Sequence, residues 1–436
     1  MEPKEQLRNC SPNNFEECIK CTICTVYCPV TAVNADFPGP KQAGPDGERY
    51  RLKKPLFYDE TLKYCLNCKR CEVACPNNVK IGDIIQAARI KYSTHKPSLR
   101  DAMLANTDFV GSMASVFAPI VNFSLGLGVV KKVLQATMRI DANRQFPAYS
   151  SRRFDKWFEE EAAPLQKGFK NKVTYFHGCY VNYNYPTLGK DLVTLLNAMN
   201  IGVEMLDKER CCGVAKIANK CIKEAKRDGA LNLASIRRAV LDNGMDVIST
   251  SSTCCFTMRD EYPHLLGLPN DDVRDHILLA TRYIYRLVDS GAVKLVFKPG
   301  WHKRVAYHIP CHMQKLGWDI YSVSLMKMIP GLEFIRLPQN CCGIAGTYGF
   351  KSENYKYSQA IGHTLFKDIR KANPDIVATD CETCKWQIEM STGYHVSNPI
   401  SILADALDFE ATCKANGVAT PVVDFRQKPS MGIDKK

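Results

Sequence analysis

The chain has 436 residues, of which 45% are hydrophobic. This composition excludes wholesale disorder and predicts two to four domains of about 150 residues each. The formal net charge is +13, and residues 41–100 alone hold thirteen Lys and Arg against six Asp and Glu, a local charge of +7. Such a surface suits an acidic partner or an anionic membrane surface, or is only a solvated face. Nucleic acid is not expected as a partner, because no nucleic-acid-binding motif accompanies the charge.

The twenty-one cysteines are the compositional outlier, and they indicate disulfides, zinc or iron–sulfur clusters. Disulfides require an export route. The segment Met1–Cys10 has no apolar region behind it, and the pair Arg152-Arg153 is internal, so no export signal is expected. We therefore expect reduced cytosolic thiols that are free to bind metal.

In chain order, the first feature is a pair of dense cysteine runs within residues 1–100. Each run has three cysteines spaced by two residues, a fourth after three more residues, and then a proline. The cysteines are Cys18, Cys21, Cys24 and Cys28 in the first run, and Cys65, Cys68, Cys71 and Cys75 in the second. This spacing is typical of bacterial [4Fe–4S] proteins, in which the fourth cysteine binds the other cluster.

The crossed pattern predicts two [4Fe–4S] clusters. Cluster 1 takes Cys18, Cys21, Cys24 and Cys75, and cluster 2 takes Cys65, Cys68, Cys71 and Cys28. Two structural zinc sites are the alternative, but zinc is usually bound by two well-separated pairs of ligands. The periodicity predicts helical segments at Asp59–Tyr64 and Ile81–Lys91, and a loop over Pro38–Gly47. Residues 1–100 are thus predicted to form an α-helical ferredoxin domain, similar to that in the iron–sulfur subunits of succinate dehydrogenase-type enzymes.

Residues 101–170 are predicted to be a connector. Within it, Phe109–Val130 contains 22 residues without a charge, which is long enough to span a bilayer. Proline, asparagine, glycine and serine residues dilute its hydrophobicity, and Lys131-Lys132 follow at once. We predict an interfacial or re-entrant membrane segment with basic anchors. A buried connector between domains and a transmembrane helix are the alternatives.

Residues 171–300 (unit 1) and 301–410 (unit 2) form an internal repeat. Val173–Cys179 matches Val305–Cys311, and the Cys-Cys-Gly segments at 211–213 and 341–343 match each other. Short β-branched runs followed by helical patterns, such as Leu188–Ala198, predict two α/β units with mostly parallel sheets. Ligands in such sheets bind at the carboxyl ends of the strands, where these cysteines fall. The fold class is therefore α+β multidomain, and residues 411–436 are predicted to be a tail.

Unit 2 has five candidate metal ligands: Cys311, Cys341, Cys342, Cys381 and Cys384. Unit 1 has four: Cys179, Cys211, Cys212 and Cys254. Aligning Cys254 with Cys381 places the missing fifth cysteine of unit 1 at Thr257. Both units resemble the cysteine-rich (CCG) domain of heterodisulfide reductase B-type subunits, which implies an iron–sulfur cluster or zinc in unit 2. Unit 1 is expected to hold zinc, a cubane cluster or no metal.

Some cysteines and histidines remain outside these sets. The predicted bystander cysteines are Cys10, Cys221, Cys255 and Cys413. His177, His308 and His312 lie beside site cysteines, where they either bind or tune a metal or pack as hydrogen-bonded core histidines. No dinucleotide, phosphate-loop or hydrolase motif is present, so no catalytic residue is predicted, and an electron carrier of this kind needs partners at both ends.

Four longer segments carry a more specific resemblance: Glu17–Thr22, Gly39–Arg49, Cys341–Phe350 and Asp380–Gln387. They are similar to the C-subunit family of anaerobic glycerol-3-phosphate dehydrogenases, over nearly all of residues 15–407. The resemblance implies an iron–sulfur subunit in glycerol metabolism and anaerobic respiration. Its expected partners are two catalytic flavoprotein subunits that oxidise glycerol 3-phosphate, and a membrane quinone, menaquinone. The expected location is peripheral, at the cytoplasmic face of the inner membrane.

Two other functions remain open from the sequence. One is a heterodisulfide reductase-like or lactate/glycolate oxidase iron–sulfur subunit, since these share the same two modules. The other is a zinc-stabilised scaffold that only tethers its partners.

Overall fold

The computed structural model describes residues 14–54, 59–93, 96–419 and 421–426. The ferredoxin domain consists of short helices joined by turns, and its described residues contain no β-strand, so the helical prediction is confirmed. Its α-helices are α1 (Ile23–Val26), α2 (Gly47–Lys53), α3 (Arg70–Val73) and α4 (Ile81–Lys91). Two 3₁₀ turns, Phe15–Glu17 and Glu60–Tyr64, complete it.

The loop prediction for residues 38–47 is wrong. A π-helical turn, Gln42–Asp46, continues directly into α2. The glycines there serve close packing, since a Cβ on Gly44 would lie 2.9 Å from the Ile81 side chain and one on Gly47 would lie 2.7 Å from Arg51. The glycines of this segment therefore mark a tightly packed helix and not a loop.

The connector contains a chain of helices: α5 (Leu99–Ala105), α6 (Thr107–Val116), α7 (Ala118–Gly126), α8 (Gly128–Met138), α9 (Phe154–Trp157) and α10 (Ala163–Gln166). The π-helical turn Phe158–Ala162 joins α9 to α10. Among the described residues, no single helix is long and apolar enough to cross a membrane, whereas α6 and α7 meet that criterion only together and are bent by 104°. One face of α6 is buried, at Gly111, Ala114 and Ser115. Large apolar side chains elsewhere on α6–α8 are exposed: Phe109, Met113, Val116, Ile120, Phe123, Val129 and Val133.

Unit 1 is built on a parallel four-stranded sheet in the order β2-β1-β3-β4. The strands are β1 (Asn171–Tyr175), β2 (Ile201–Met205), β3 (Val247–Ser249) and β4 (Ile277–Leu279). The helices are α11 (Gly178–Tyr183), α12 (Pro186–Ala198), α13 (Val214–Ala218), α14 (Ile222–Arg237), α15 (Ser252–Phe256), α16 (Tyr262–Leu266) and α17 (Ala280–Asp289). The chain adds β2 on one side of β1 and β3 on the other. Ligands of parallel sheets bind in the crevice at such a switch in strand order.

Unit 2 repeats this topology in the order β6-β5-β7-β8, again with parallel pairing, which confirms the predicted repeat. Its strands are β5 (Lys303–Tyr307), β6 (Leu332–Arg336), β7 (Ile376–Ala378) and β8 (Val396–Ser397). Its helices are α18 (Cys311–Leu316), α19 (Asp319–Lys327), α20 (Ser352–Ala372), α21 (Glu382–Thr392) and α22 (Pro399–Ala406).

The two units share one apolar core. Leu192 and Leu196 of α12 belong to the same buried cluster as Tyr307 and Leu403 of unit 2.

Part of the segment 411–436, which was predicted to be a tail, is folded. Residues Phe409–Ala415 form α23, and the ring of Phe425 packs 4.9 Å from that of Trp157, centroid to centroid. Burial of apolar surface thus holds Phe425 against α9 of the connector; residues 427–436 lie outside the described part of the chain.

Candidate functional site: four groups of cysteines

The eight thiols of the ferredoxin runs fall into two groups, each of which draws on both runs. Burial raises the pKa of Cys24, and the nearby thiols of Cys18, Cys21 and Cys75 raise it further. Thiols influence one another's pKa in this way only when they are close in space. The first group is therefore the set predicted for cluster 1.

The second group surrounds a small cavity lined by Cys28, Cys65, Cys68 and Cys71. Burial raises the pKa of Cys28 to about 12, and the thiols of Cys68 and Cys65 contribute to the rise. This is the set predicted for cluster 2. Low-dielectric surroundings disfavour free thiolates, so this cavity suits thiolates whose charge is balanced by a bound metal. That these sulfurs bind clusters remains a prediction.

Backbone geometry in the two runs is the same. Lys20 and Thr22 in the first run, and Asn67 and Lys69 in the second, have φ values of 60°, 65°, 55° and 61°, in the left-handed region. These residues turn the chain sharply within each run, and in the second run two amide groups face sulfurs. The N–H of Asn67 donates to Cys65 Sγ at 3.5 Å, and that of Val79 donates to Cys75 Sγ at 3.4 Å. Such donors stabilise negative sulfur around a metal site.

A buried charge network ties the second run to the units. Burial opposes the charge of Lys69, but the carboxylates of Asp83 and Glu72 raise its pKa overall. Glu72 also pairs with Lys315 of α18 at 2.9 Å, and Asp83 with His264 of α16 at 3.3 Å. Removing one partner from a buried pair leaves an uncompensated charge, so this network fixes the docking of the ferredoxin domain.

In unit 2 the five predicted ligands converge at the carboxyl ends of β5, β6 and β7. The sulfurs of Cys342 and Cys384 are 3.3 Å apart. Cys311 contacts Cys341, and Cys381 contacts Cys384, through their side chains. Gly343 has φ +86°, and a Cβ there would lie 2.0 Å from the Ser358 carbonyl oxygen, so only glycine fits this turn.

The unit 2 site touches the second ferredoxin group. The side chains of Cys341 and Cys68 both contact the Cys311 thiol and raise its pKa well above the usual value. Cys68 and Cys311 are 243 positions apart in the sequence, and nothing local in the sequence predicts their contact. Two of the four cysteine groups thus meet directly.

In unit 1, Cys179, Cys211, Cys212 and Cys254 also converge: Cys211 contacts Cys179 and Cys212, and Cys212 contacts Cys254. The structure corrects the predicted register of this unit. Tyr175 pairs with Ile248 and Tyr307 pairs with Ala378, so β1 corresponds to β5 at an offset of 132 residues and β3 corresponds to β7 at an offset of 130.

With the β3–β7 offset, Cys254 corresponds to Cys384, and Ser251 corresponds to Cys381. Both Ser251 and Cys381 stand immediately before a helix, as its N-cap residue. The departure of unit 1 from the five-cysteine set therefore lies at Ser251, and the assignment to Thr257 is wrong. The adjacent cysteines at 254 and 255 hid this register from sequence comparison.

The unit 1 site touches the exposed apolar helices of the connector. Asp108 in the first turn of α6 accepts a 2.8 Å hydrogen bond from the N–H of Cys211, and the Thr107 side chain contacts the Cys211 thiol. Burial raises the pKa of Asp108 to about 6. Sequence reasoning missed Asp108 and Thr107, because the charge-free segment begins only at Phe109.

The remaining cysteines and the three histidines differ in what they contact. Cys255 is fully buried and bonds to the Leu278 carbonyl, Cys221 bonds to the Asn219 carbonyl, and Cys413 is half-buried. None of these three belongs to a cysteine group among the described residues, while Cys10 lies outside them. Two of the histidines have hydrogen-bond partners: His177 Nδ1 contacts the Gly178 carbonyl at 2.9 Å, and His312 Nε2 contacts the Asn67 carbonyl at 3.2 Å.

Comparison with known proteins matches this arrangement. Residues 14–79 match the family model of a 4Fe-4S dicluster domain, and residues 173–259 and 305–389 each match that of a cysteine-rich domain. The C subunit of the anaerobic glycerol-3-phosphate dehydrogenase of Escherichia coli K12 is 56% identical over 394 residues, which cover 90% of this chain and 99% of that protein. The chain belongs to the C-subunit family of anaerobic glycerol-3-phosphate dehydrogenases. It is accordingly an iron–sulfur protein of an oxidoreductase family.

More distant relatives align with this chain over a similar number of residues. The glycolate oxidase iron-sulfur subunit of Escherichia coli K12 is 23% identical over 410 residues, covering 90% of this chain and 94% of that protein. The B subunit of the fumarate reductase (CoM/CoB) of Methanothermobacter marburgensis is 25% identical over 386 residues, covering 86% of this chain and 67% of that protein. Proteins similar to this chain over most of its length are therefore named as subunits of several different oxidoreductases.

Proposed function

We propose that this chain is the electron-transfer and membrane-anchor subunit of an anaerobic glycerol-3-phosphate dehydrogenase. It relays electrons from two flavin-containing catalytic subunits to menaquinone, at the cytoplasmic face of the inner membrane. The name of the 56% identical relative supports the complex. When bound, two [4Fe–4S] clusters would supply one-electron chemistry at the eight ferredoxin thiols. The observation that carries the proposal is the contiguity of the four cysteine groups.

Contacts link the four cysteine groups to one another and to α6 in a single series. The two ferredoxin groups exchange Cys28 and Cys75, and the second group meets unit 2 at the Cys68–Cys311 contact. Unit 2 meets unit 1 where the Thr253 hydroxyl lies 3.7 Å from Cys381 Sγ. Unit 1 meets α6 at Cys211 and Asp108. A relay needs sites close to one another, and this series supplies them from the ferredoxin domain to the connector.

The entry end of this series is the surface around the first ferredoxin group. Cys21 is exposed there, and so are the apolar side chains of Ile19, Val26 and Tyr27, with exposed fractions of 62%, 82% and 53%. Clustered exposed apolar side chains are typical of protein–protein interfaces. We assign this surface to the flavin-containing catalytic subunits.

The exit end is the apolar surface of α6, α7 and α8. Phe123 and Val129 are 71% and 74% exposed, and Lys131-Lys132 follow on the same segment. Exposed apolar side chains next to lysines suit the interface of an anionic membrane. A lipid-soluble quinone at this surface would lie close to the unit 1 cysteines.

Electron delivery tests the relay. The full chain is assembled with its two catalytic subunits on vesicles that contain menaquinone, and glycerol 3-phosphate is added under anaerobic conditions. Cys68→Ser should lower the rate of menaquinone reduction at least tenfold. The flavoprotein subunits should still reduce an added dye. Cys413→Ser is the matched control and should behave as wild type. Undiminished menaquinone reduction by the Cys68 variant would refute the relay.

Vesicle binding tests the anchor. Because Phe123 and Val129 face solvent, the double variant Phe123→Glu/Val129→Glu should fold normally yet lose most co-sedimentation with anionic vesicles. Ile320→Glu is the control, since Ile320 is 60% exposed on α19 of unit 2. Equal binding by both variants would show that α6–α8 do not contact the membrane.

A further inference from the structure

We propose that His308 is a metal ligand of unit 2, where its imidazole binds beside the thiolates of Cys342 and Cys384. A ring nitrogen of His308 and the two sulfurs all lie within 4.8 Å of one another. Ligand atoms around one zinc or iron ion stand at comparable separations, because each lies 2.0–2.3 Å from the metal, as a rough guide. The geometry therefore allows all three atoms to bind one ion.

The burial and bonding of His308 support this role. The side chain is 0% exposed, and within residues 14–54, 59–93, 96–419 and 421–426 neither ring nitrogen has a hydrogen-bond partner. A buried polar group without a partner is unfavourable, and a native structure that keeps one usually has a use for it. His177 and His312, which also lie beside site cysteines, both have carbonyl partners. Of these three histidines, His308 is therefore the one whose ring nitrogens have no hydrogen-bond partner in the described part of the chain.

Unit 1 provides an internal comparison. Phe176 and His308 follow the paired residues Tyr175 and Tyr307, and each backbone N–H donates to the corresponding strand, to Ile248 and Ala378 respectively. The Phe176 side chain packs in the same apolar cluster as Cys211 and Cys212. An apolar ring therefore occupies, in unit 1, the position that an imidazole occupies in unit 2.

The two units consequently offer different donor sets. Unit 2 has His308 and Cys381 where unit 1 has Phe176 and Ser251, so unit 2 has a mixed nitrogen–sulfur set and two more donors. Zinc and iron both accept imidazole together with thiolate. A neutral imidazole adds a ligand without adding negative charge, which matters where Cys68 of the neighbouring group is so close. This ligand role holds whichever electron partners the chain has.

The test uses the full chain, purified anaerobically, with iron and zinc counted per chain. His308→Phe, which installs the residue of unit 1, should lose the metal of unit 2, and Cys384→Ser should lose it as well. The electron paramagnetic resonance signals of the reduced ferredoxin clusters should persist and show that the variant is folded. His312→Gln, next to Cys311 but bonded to a carbonyl, is the matched control and should keep its full metal content.

A second measurement needs no variant. Wild-type chain with ¹⁵N-labelled histidine should show a histidine-nitrogen coupling in pulsed electron paramagnetic resonance if the ion is iron, or imidazole scattering in zinc-edge X-ray absorption if it is zinc. Absence of both signals would overturn the proposal. So would a folded His308→Phe variant that keeps the metal content of the wild type.

Discussion

The hydroxyl of Ser251 donates a 2.8 Å hydrogen bond to the carboxylate of Glu382, which follows Cys381 in the chain. The residue that replaces a cysteine in unit 1 therefore contacts the site of unit 2. The same hydroxyl accepts a 3.3 Å hydrogen bond from the N–H of Cys254 and so caps α15. One serine thus joins the two units at the edges where their cysteines converge.

Ser251→Ala should destabilise the chain by about 1–3 kcal/mol, because it removes the helix cap and leaves the buried Glu382 carboxyl without this partner. Urea or thermal unfolding of the purified protein measures the change. Ser290→Ala is the control, since Ser290 is exposed and bonds only within its own helix end, to Leu287; it should cost less than about 0.5 kcal/mol. Equal effects of the two substitutions would contradict a joining role for Ser251.

Stability should fall as pH rises from about 4 towards 7 because of Asp191. Burial raises the pKa of Asp191 to about 7, although a hydrogen bond with Ser401 opposes the rise. The folded chain then holds a proton that the unfolded chain has already released, so the stability conferred by this proton is present at low pH and is lost as pH rises through about 7. The part of the slope that Asp191 contributes should approach, and not exceed, about 1.4 kcal/mol per pH unit.

Asp191→Asn should flatten this dependence in unfolding measurements between pH 5 and 7.5. Asp272→Asn is the control. The hydrogen bond from Arg237 lowers the pKa of Asp272, which is therefore already ionised throughout that range. A slope that stays unchanged in the Asp191 variant would assign the pH dependence to other groups.

Gly111→Ala should loosen the docking of α6 on unit 1. A Cβ at Gly111 would lie 2.5 Å from the ring of Tyr183, on the helix that contains Cys179. Overpacking of this kind typically costs about 1–3 kcal/mol, and faster hydrogen exchange in α6 would reveal it. Gly126→Ala has no heavy atom within 4 Å of the new Cβ and should leave exchange unchanged or slower. Protection equal to the wild type in the Gly111 variant would contradict this packing.

Much of the fold follows from local pattern. The β-branched runs before Cys179 and Cys311 are strands, and the periodic segment 188–198 lies within α12, because hydrophobic periodicity reports burial directly. Local pattern failed at residues 38–47, where Gly44 and Gly47 permit close helix packing. Glycine marks both turns and close approaches, and the sequence does not distinguish them.

The site was predictable where spacing determines geometry and not where it depends on tertiary contact. The grouping of Cys75 with the first run follows from the ferredoxin spacing. The correspondence of Ser251 to Cys381 needs strand pairing, since two adjacent cysteines allow two alignments. The Cys68–Cys311 contact arises between distant segments, so no local sequence signal predicts it. The sequence placed His308 beside a site cysteine, but only the packing shows that its ring nitrogens have no hydrogen-bond partner in the described part of the chain.

The crossed grouping of thiols is the central claim, and Cys75→Ser tests it most directly. Electron paramagnetic resonance spectra of the dithionite-reduced variant are compared with those of Cys21→Ser and Cys68→Ser. Although Cys75 belongs to the second run, its variant should lose the same cluster signal as Cys21→Ser and keep the signal that Cys68→Ser loses. A Cys75→Ser spectrum that matches Cys68→Ser, or retains both signals, would contradict the account.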